Sequence, residues 1–145
     1  MIIRHAVILL LLLTNLSACS YMKNINRKEE CEKSLKAYRQ MIRWNESEKA
    51  AVAIVDRENR ETFSKAAEAM RRKNISMVDV RMLSEECLSE KGTAEATVEF
   101  DYFIMPDSRM RTLTDRQKWI YREEVEGKPE LGKGWKLVTP LPAFK

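Results

Sequence analysis

The stretch GTAEATVEFDYF, residues 92–103, decides the fold class of this 145-residue chain. Its apolar and polar residues alternate, which is typical of a β-strand with one buried face. One side of the strand carries Ala94, Ala96, Val98, Phe100, Tyr102 and, one residue past the quoted stretch, Ile104. The other side carries Glu95, Thr97, Glu99 and Asp101. Because one side is wholly apolar, the stretch predicts a strand that lies with that face on a hydrophobic core.

The flanking sequence predicts three more strands in an antiparallel meander. A first strand at 78–82 and a third at about 110–124 flank the central one, and a short fourth strand covers 135–138. The apolar residues that share a parity are Val78, Val80 and Met82 in the first strand and Leu113, Trp119 and Tyr121 in the third. Turn residues separate the strands, and Pro140 and Pro142 end the last one.

Before the strands, the apolar period is that of a helix. The residues Cys31, Leu35, Tyr38 and Ile42 recur at spacings of four, three and four. After a break at Trp44, Ser47 begins a second helical piece, and Asp56 is a candidate N-cap for a third helix that ends at Asn74. Helices followed by strands predict an α+β domain, with N-terminal helices packed on one face of a curved four-stranded antiparallel sheet.

The strand motifs resemble those of the nuclear-transport-factor-two-like superfamily. The motifs are the A-x-A-x-V-x-F strand from Ala94, the stretch QKWIYREE at 117–124 and the stretch GKGWKLV at 132–138. The resemblance covers roughly residues 29–138 and implies a cone-shaped, cystatin-like α+β roll, often with a pocket at its open end. Members range from isomerases and dehydratases to binding and assembly modules, so the fold does not select a function.

The N-terminus has a different character from the rest of the chain. Arg4 and His5 precede an eight-residue apolar run, Ala6 to Leu13, and Leu16-Ser17-Ala18-Cys19 follows. A membrane-spanning helix needs about 20 apolar residues, so this run is too short to cross a bilayer. A short apolar run followed by small residues is typical of a secretory signal peptide.

Leu-Ser-Ala-Cys closely resembles the lipobox of bacterial lipoproteins. This resemblance implies cleavage before Cys19, acylation of Cys19 and, since Ser20 rather than Asp follows, sorting to the inner leaflet of the outer membrane, facing the periplasm. The alternative is an ordinary signal peptide with an incidental cysteine. We therefore expect a signal peptide at 1–18, a lipidated N-terminus and polar tether at 19–28, and a single α+β domain at 29–145.

Removal of the signal peptide limits the chemistry of the mature chain. The only histidine, His5, is lost, which excludes a His–Asp catalytic pair and histidine ligation of zinc. With Arg4 also removed, 25 basic residues face 22 acidic ones, a formal charge of +3 instead of +4. The two signs are mixed along the chain, so no one-signed surface for nucleic acid is predicted. Neither a metal site nor a cofactor is indicated by any motif.

Two cysteines remain after lipidation, Cys31 and Cys87. In an oxidising compartment they are a candidate disulfide. It would close a loop of about 57 residues and contribute on the order of 4 kcal/mol. The alternative is two separately buried thiols.

Two sets of side chains are candidates for a site. Aromatic residues form the candidate pocket lining, with the hydrophobic core as the alternative role: Tyr38, Trp44, Trp119 and Tyr121. Glu99 and Asp101 lie on one strand face at the spacing of an acid–base pair, but a solvent-facing role is favoured because the opposite face is apolar.

Two functions are consistent with these observations. The first is a lipid-anchored, non-catalytic binding or assembly module of the cell envelope, whose partner is an envelope protein or a second copy of itself. The second is a small-molecule-binding domain or cryptic enzyme that uses a pocket in the cone. The lack of any catalytic signature favours the first.

Overall fold

Three helices precede a single four-stranded sheet in this protein. The structure is a computed structural model that describes residues 2–129 and 132–145, with side chains described from Met22 onward. The helices are α1 (Ile2–Arg43), α2 (Ser47–Ala53) and α3 (Arg60–Arg72), with a short 3-10 turn at Arg57–Asn59. The strands are β1 (Ile75–Leu88), β2 (Thr93–Ile104), β3 (Arg111–Arg122) and β4 (Gly134–Leu137). They pair antiparallel in sequence order, which confirms the predicted α+β architecture.

The core lies between the helices and one face of the sheet, which we call the inner face. The predicted stripe of α1, from Cys31 to Ile42, is almost completely buried, as is the alternating series of β2 from Ala94 to Tyr102. Tyr38 packs edge-on against Phe63 of α3 and against Trp119 of β3. Both predicted periodicities are therefore confirmed, and large aromatic rings from three elements fill the interior.

The first strand is longer than its predicted range of 78–82, and one apolar residue of the predicted stripe is not buried. The register of β1 with β2 shifts between Met77 and Asp79, so Val78 is an extra residue in the strand. Met77 and Val80 both point into the core, whereas Val78 is exposed. The prediction that Val78 shares the buried face of Val80 was wrong, because a β-bulge changes the parity of every residue before it.

Residues 54–56 cover the edge of the sheet beyond β4. Val55 bridges Leu137 in parallel, and backbone hydrogen bonds join Asp56 N to Leu137 O and Leu137 N to Ile54 O, at 2.8 and 3.0 Å. The carboxylate of Asp56 makes no capping bond to the turn that follows it. Instead it accepts two hydrogen bonds from Arg122, at 3.0 and 3.1 Å. Asp56 thus fastens the helical layer to β3 rather than acting as the predicted side-chain cap of a helix.

The C-terminal segment closes one end of the interior. Leu141 and Phe144 are buried, and the Phe144 ring lies edge-on to both Phe100 and Tyr102. The Tyr102 hydroxyl donates to Lys145 O at 2.8 Å, and Lys73 Nζ donates to Phe144 O at 2.9 Å. The prolines end the last strand as predicted, but the residues after them complete the core.

Helix α1 continues through the segment predicted to be a tether. Residues 22–28 are helical, and Arg27 packs on the domain. Its guanidinium carbon lies 4.5 Å from the centre of the Tyr121 ring, and its carbonyl accepts a hydrogen bond from Trp135 Nε1 at 2.8 Å. The predicted lipidation site, Cys19, and the predicted signal peptide lie outside the residues whose side chains are described.

Candidate functional site

A chain of polar side chains runs along the inner face of β3. Asp115, Gln117 and Trp119 alternate inward, in register with Val98, Ala96 and Ala94 of β2. Trp119 Nε1 donates to Gln117 Oε1 at 3.3 Å, and Gln117 Nε2 donates to Asp115 Oδ2 at 3.0 Å. Gln117 and Trp119 are buried, whereas Asp115 is half-buried. The hydrogen-bonded chain therefore begins at Trp119 in the core and ends at the half-buried carboxyl group of Asp115.

Tyr38 brings a second polar group to the same place. Its ring meets Trp119 edge-on with ring centres 5.7 Å apart, and its buried hydroxyl has no hydrogen-bond partner among the described residues. Burial, with a smaller effect from the charge of Asp115, raises the pKa of Tyr38 above its ordinary value. Burial likewise raises the pKa of Asp115, and the bond from Gln117 opposes that rise. Burial therefore disfavours the charged form of both groups.

The candidate pocket-lining residues occupy three different environments. Tyr38 and Trp119 belong to the filled core. Tyr121 is half-buried between Arg27 and Trp135, with its ring centre 5.6 Å from that of Trp135. Trp44 is 70% exposed in the turn after α1, beside Arg43. Trp44 therefore does not lie in the interior with Tyr38 and Trp119, because α1 ends at Arg43.

Glu99 and Asp101 lie on the outer face of the sheet, opposite to the helices. Arg81 of β1 forms ion pairs with both carboxylates, and Thr112 Oγ1 donates to Asp101 Oδ1 at 2.8 Å. The Asp101 side chain is only 7% exposed, because these partners cover it. The two carboxylates are thus tied to a shared cation, which makes them structural rather than an acid–base pair.

The other half of the outer face carries a groove with unpaired charges. Two depressions of about 440 and 420 Å³ lie along β2 and share Glu86, Glu95 and Lys118 as lining residues. One end of the groove is polar, with Ser84, Thr97 and Arg116, and the other is apolar, with Leu88, Ile120 and Val138. Within the described residues, no ion pair involves Glu86, Glu95, Arg116 or Lys118. We call this feature the outer groove.

A disulfide joins Cys31 of α1 to Cys87 of β1. The two Cα atoms are 6.4 Å apart, and the bond closes a loop with a sequence separation of 56. It ties the first turn of the domain to the end of β1 that borders the outer groove. The long separation means that the cross-link restricts most of the helical layer in the unfolded chain.

Sequence reasoning missed the inward polar chain, although a signal for it was present. The parity that assigns Leu113, Trp119 and Tyr121 to the inner face also assigns Asp115 and Gln117 there. A polar residue at an inward position of a strand is the pattern that indicates a buried hydrogen-bonded group. The outer groove had no such signal, because it depends on the register of three strands.

Searches of protein-family models and of curated proteins each returned no match to this chain. Among the described residues, no group of three or more Cys, His, Asp or Glu side chains is arranged to hold a metal ion. Within those residues, no helix combines the length and the apolar character that a bilayer-spanning segment requires.

Proposed function

We propose that this protein is a lipid-anchored lipoprotein of the bacterial cell envelope, held on the inner leaflet of the outer membrane and facing the periplasm. Its α+β domain, in this proposal, is a non-catalytic module that binds an envelope protein or a second copy of itself. The observation that carries the proposal is Leu16-Ser17-Ala18-Cys19 directly downstream of a short apolar run. A single acyl chain binds a membrane only weakly, whereas several give stable attachment.

Two structural features support this assignment. A disulfide between Cys31 and Cys87 suits a compartment that oxidises thiols. The interior of the roll is occupied by Tyr38, Phe63, Phe100 and Phe144, which favours a surface rather than a cavity as the working part. The order of helices before a long antiparallel meander supports kinship with the nuclear-transport-factor-two-like superfamily, whose members include assembly modules.

The anchor is tested by expressing the full-length chain in a double-membraned bacterium. The expected mass is that of the chain from Cys19 plus a glyceryl group and three acyl chains, with all protein in the membrane fraction. Cys19→Ser removes the acylation and releases the protein from membranes. Ser20→Asp is the matched variant, since it keeps the lipid but moves the protein to the inner membrane fraction. An unacylated wild-type chain with its signal cleaved at another position would overturn the proposal.

A second candidate function, binding or conversion of a small molecule, rests on one observation. The Tyr38 hydroxyl is buried without a partner beside the half-buried carboxyl of Asp115. A ligand with a hydrogen-bond acceptor would satisfy that hydroxyl. Native mass spectrometry of the extracted protein tests this candidate. A retained small molecule that Tyr38→Phe abolishes would support it, whereas a ligand-free wild-type protein counts against it.

A further inference from the structure

The outer groove carries charges of opposite sign on its two walls. On β1 its wall carries Glu86, and on β3 its wall carries Lys118, with Glu95 between them on β2. The register places these three residues in one row across the sheet, because Glu86 pairs with Glu95 and Glu95 pairs with Lys118. The wall on one side of the groove is therefore acidic and the wall on the other side basic.

The neighbouring rows do not add like charges to the two walls. One row further along the strands, Leu88, Thr93 and Ile120 are aligned, so both walls are apolar there. In the other direction, Ser84, Thr97 and Arg116 are aligned. Across these rows the two acidic residues of the outer face, Glu86 and Glu95, balance the two basic ones, Arg116 and Lys118.

We infer that the outer groove is the contact surface for a second copy of this chain, packed face to face about a two-fold axis parallel to the strands. Such an axis exchanges the β1 and β3 walls and leaves the rows at the same level. Glu86 of each copy then faces Lys118 of the other, and Leu88 of each faces Ile120 of the other. The two Glu95 residues lie opposite each other at the axis, each next to the Lys118 with which it pairs in register. Two-fold interfaces of this kind require self-complementary surfaces, and aligned sheet packing tolerates a crossing angle of about 30°.

The position of the N-terminal helix favours this axis over one perpendicular to the strands. Helix α1 enters the domain at Arg27, beside Trp135, and leaves it at Arg43, which pairs with Asp79 at 3.3 Å. It therefore runs along the strands from one end of the sheet to the other. An axis parallel to the strands sends both N-termini the same way, so both copies reach one membrane. This step rests on the proposed lipid anchor, whereas the complementarity of the groove does not.

A charge exchange in the full-length protein tests the inference. Native mass spectrometry and analytical ultracentrifugation of detergent-extracted protein are expected to show a wild-type dimer. Glu86→Lys sets like charges against Lys118 at two places and should raise the dissociation constant at least tenfold, as should Lys118→Glu. The double variant Glu86→Lys/Lys118→Glu is expected to return to a dimer, and an equimolar mixture of the two single variants should form a heterodimer.

Matched variants distinguish a loss of the dimer interface from misfolding and from association within a shared detergent micelle. Glu90→Lys and Lys91→Glu change the same charges in the β1–β2 turn and are expected to leave the dimer intact. All variants carry the same lipid, so association through a shared micelle is not altered by the exchange. A monomeric wild type, single variants that remain dimeric, a double variant that stays monomeric, or a different protein bound at this face would overturn the inference. The mass of the N-terminal residue in the same spectrum reports the lipid anchor separately.

Discussion

The two faces of the sheet are formed by the same three long strands but differ in the interactions of their polar side chains. On the inner face, Asp115 and Gln117 are drawn into a single hydrogen-bonded chain that ends on Trp119. On the outer face, Arg81 satisfies Glu99 and Asp101, while Glu86 and Glu95, further along the same two strands, have no ion pair among the described residues. Asp115, Gln117, Glu99 and Asp101 are therefore hydrogen-bonded or ion-paired, whereas the charges of the outer groove have no ion pair among the described residues, which suits a binding surface.

The largest expected effect comes from the inner face. Trp119→Ala removes a buried ring and leaves Gln117 without a donor, so the free energy of unfolding should fall by about 3–5 kcal/mol. Trp44→Ala is the matched variant, because that ring is 70% exposed and its loss should cost less than about 0.5 kcal/mol. Urea denaturation of both variants measures the difference. Equal losses would contradict the burial of Trp119 and the exposure of Trp44.

The disulfide comes next. Because Cys31 and Cys87 are 56 residues apart in sequence, Cys31→Ser/Cys87→Ser should lower the free energy of unfolding by about 2–4 kcal/mol. Reduction of the wild type should produce the same loss, and the double variant should not respond to reductant. A wild type whose denaturation midpoint is unchanged by reductant would show that the cross-link does not form in the native protein.

A smaller effect distinguishes the two halves of the outer face. Arg81→Gln leaves Glu99 and the buried Asp101 without their shared cation, so the free energy of unfolding should fall by an amount that shrinks in high salt. Arg116→Gln, in the outer groove, should change stability by less than about 0.5 kcal/mol when measured at protein concentrations that keep the chain monomeric. The reverse order of the two losses would mean that Arg116, not Arg81, is the structural cation.

The sequence predicts the elements of this fold better than it predicts the site. Alternation in β2 and the helical spacing from Cys31 to Ile42 identify the buried faces, because each depends on residues close in sequence. The bulge at Val78 is not predictable in this way, since Val78 and Val80 alternate regularly in the sequence although only Val80 is buried. The burial of Phe144 and the pairing of Asp56 with Arg122 join segments far apart in sequence, which a local period does not report.

The candidate site is only partly predictable for the same reason. Tyr38 and Trp119 were identified as aromatic residues of one interior because their spacing places each on a buried face. Their contact with Asp115 and Gln117 requires the third strand to be aligned with α1. The outer groove requires the pairing of Glu86, Glu95 and Lys118 across three strands, a register set by the turns between them.

Asp115 and Asp56 are carboxyl groups whose pKa values are shifted in opposite directions, so they should affect the pH dependence of stability in opposite ways. Burial raises the pKa of Asp115, so the folded state binds its proton more tightly than the unfolded state does. Its effect on stability is therefore most favourable below the unfolded pKa of about 3.9, and stability is lost as the pH rises from there through the higher folded value. Asp56 is the opposite case, because hydrogen bonds from Arg122 lower its pKa. Its stabilising effect is present above the unfolded pKa and is lost as the pH falls through the folded value.

Replacing aspartate by asparagine should consequently change the free energy of unfolding in opposite directions at these two positions. At pH 7, Asp115→Asn removes a half-buried charge and keeps an acceptor for Gln117, so the variant should be more stable than the wild type. Asp56→Asn should be less stable, because it loses the charge that Arg122 binds. Both differences should narrow as the pH falls below about 4, where the carboxyl groups of the wild type become protonated. Urea denaturation between neutral and acidic pH measures both curves. If Asp115→Asn destabilises at neutral pH, the folded protein stabilises the Asp115 carboxylate, and its pKa is not raised by burial.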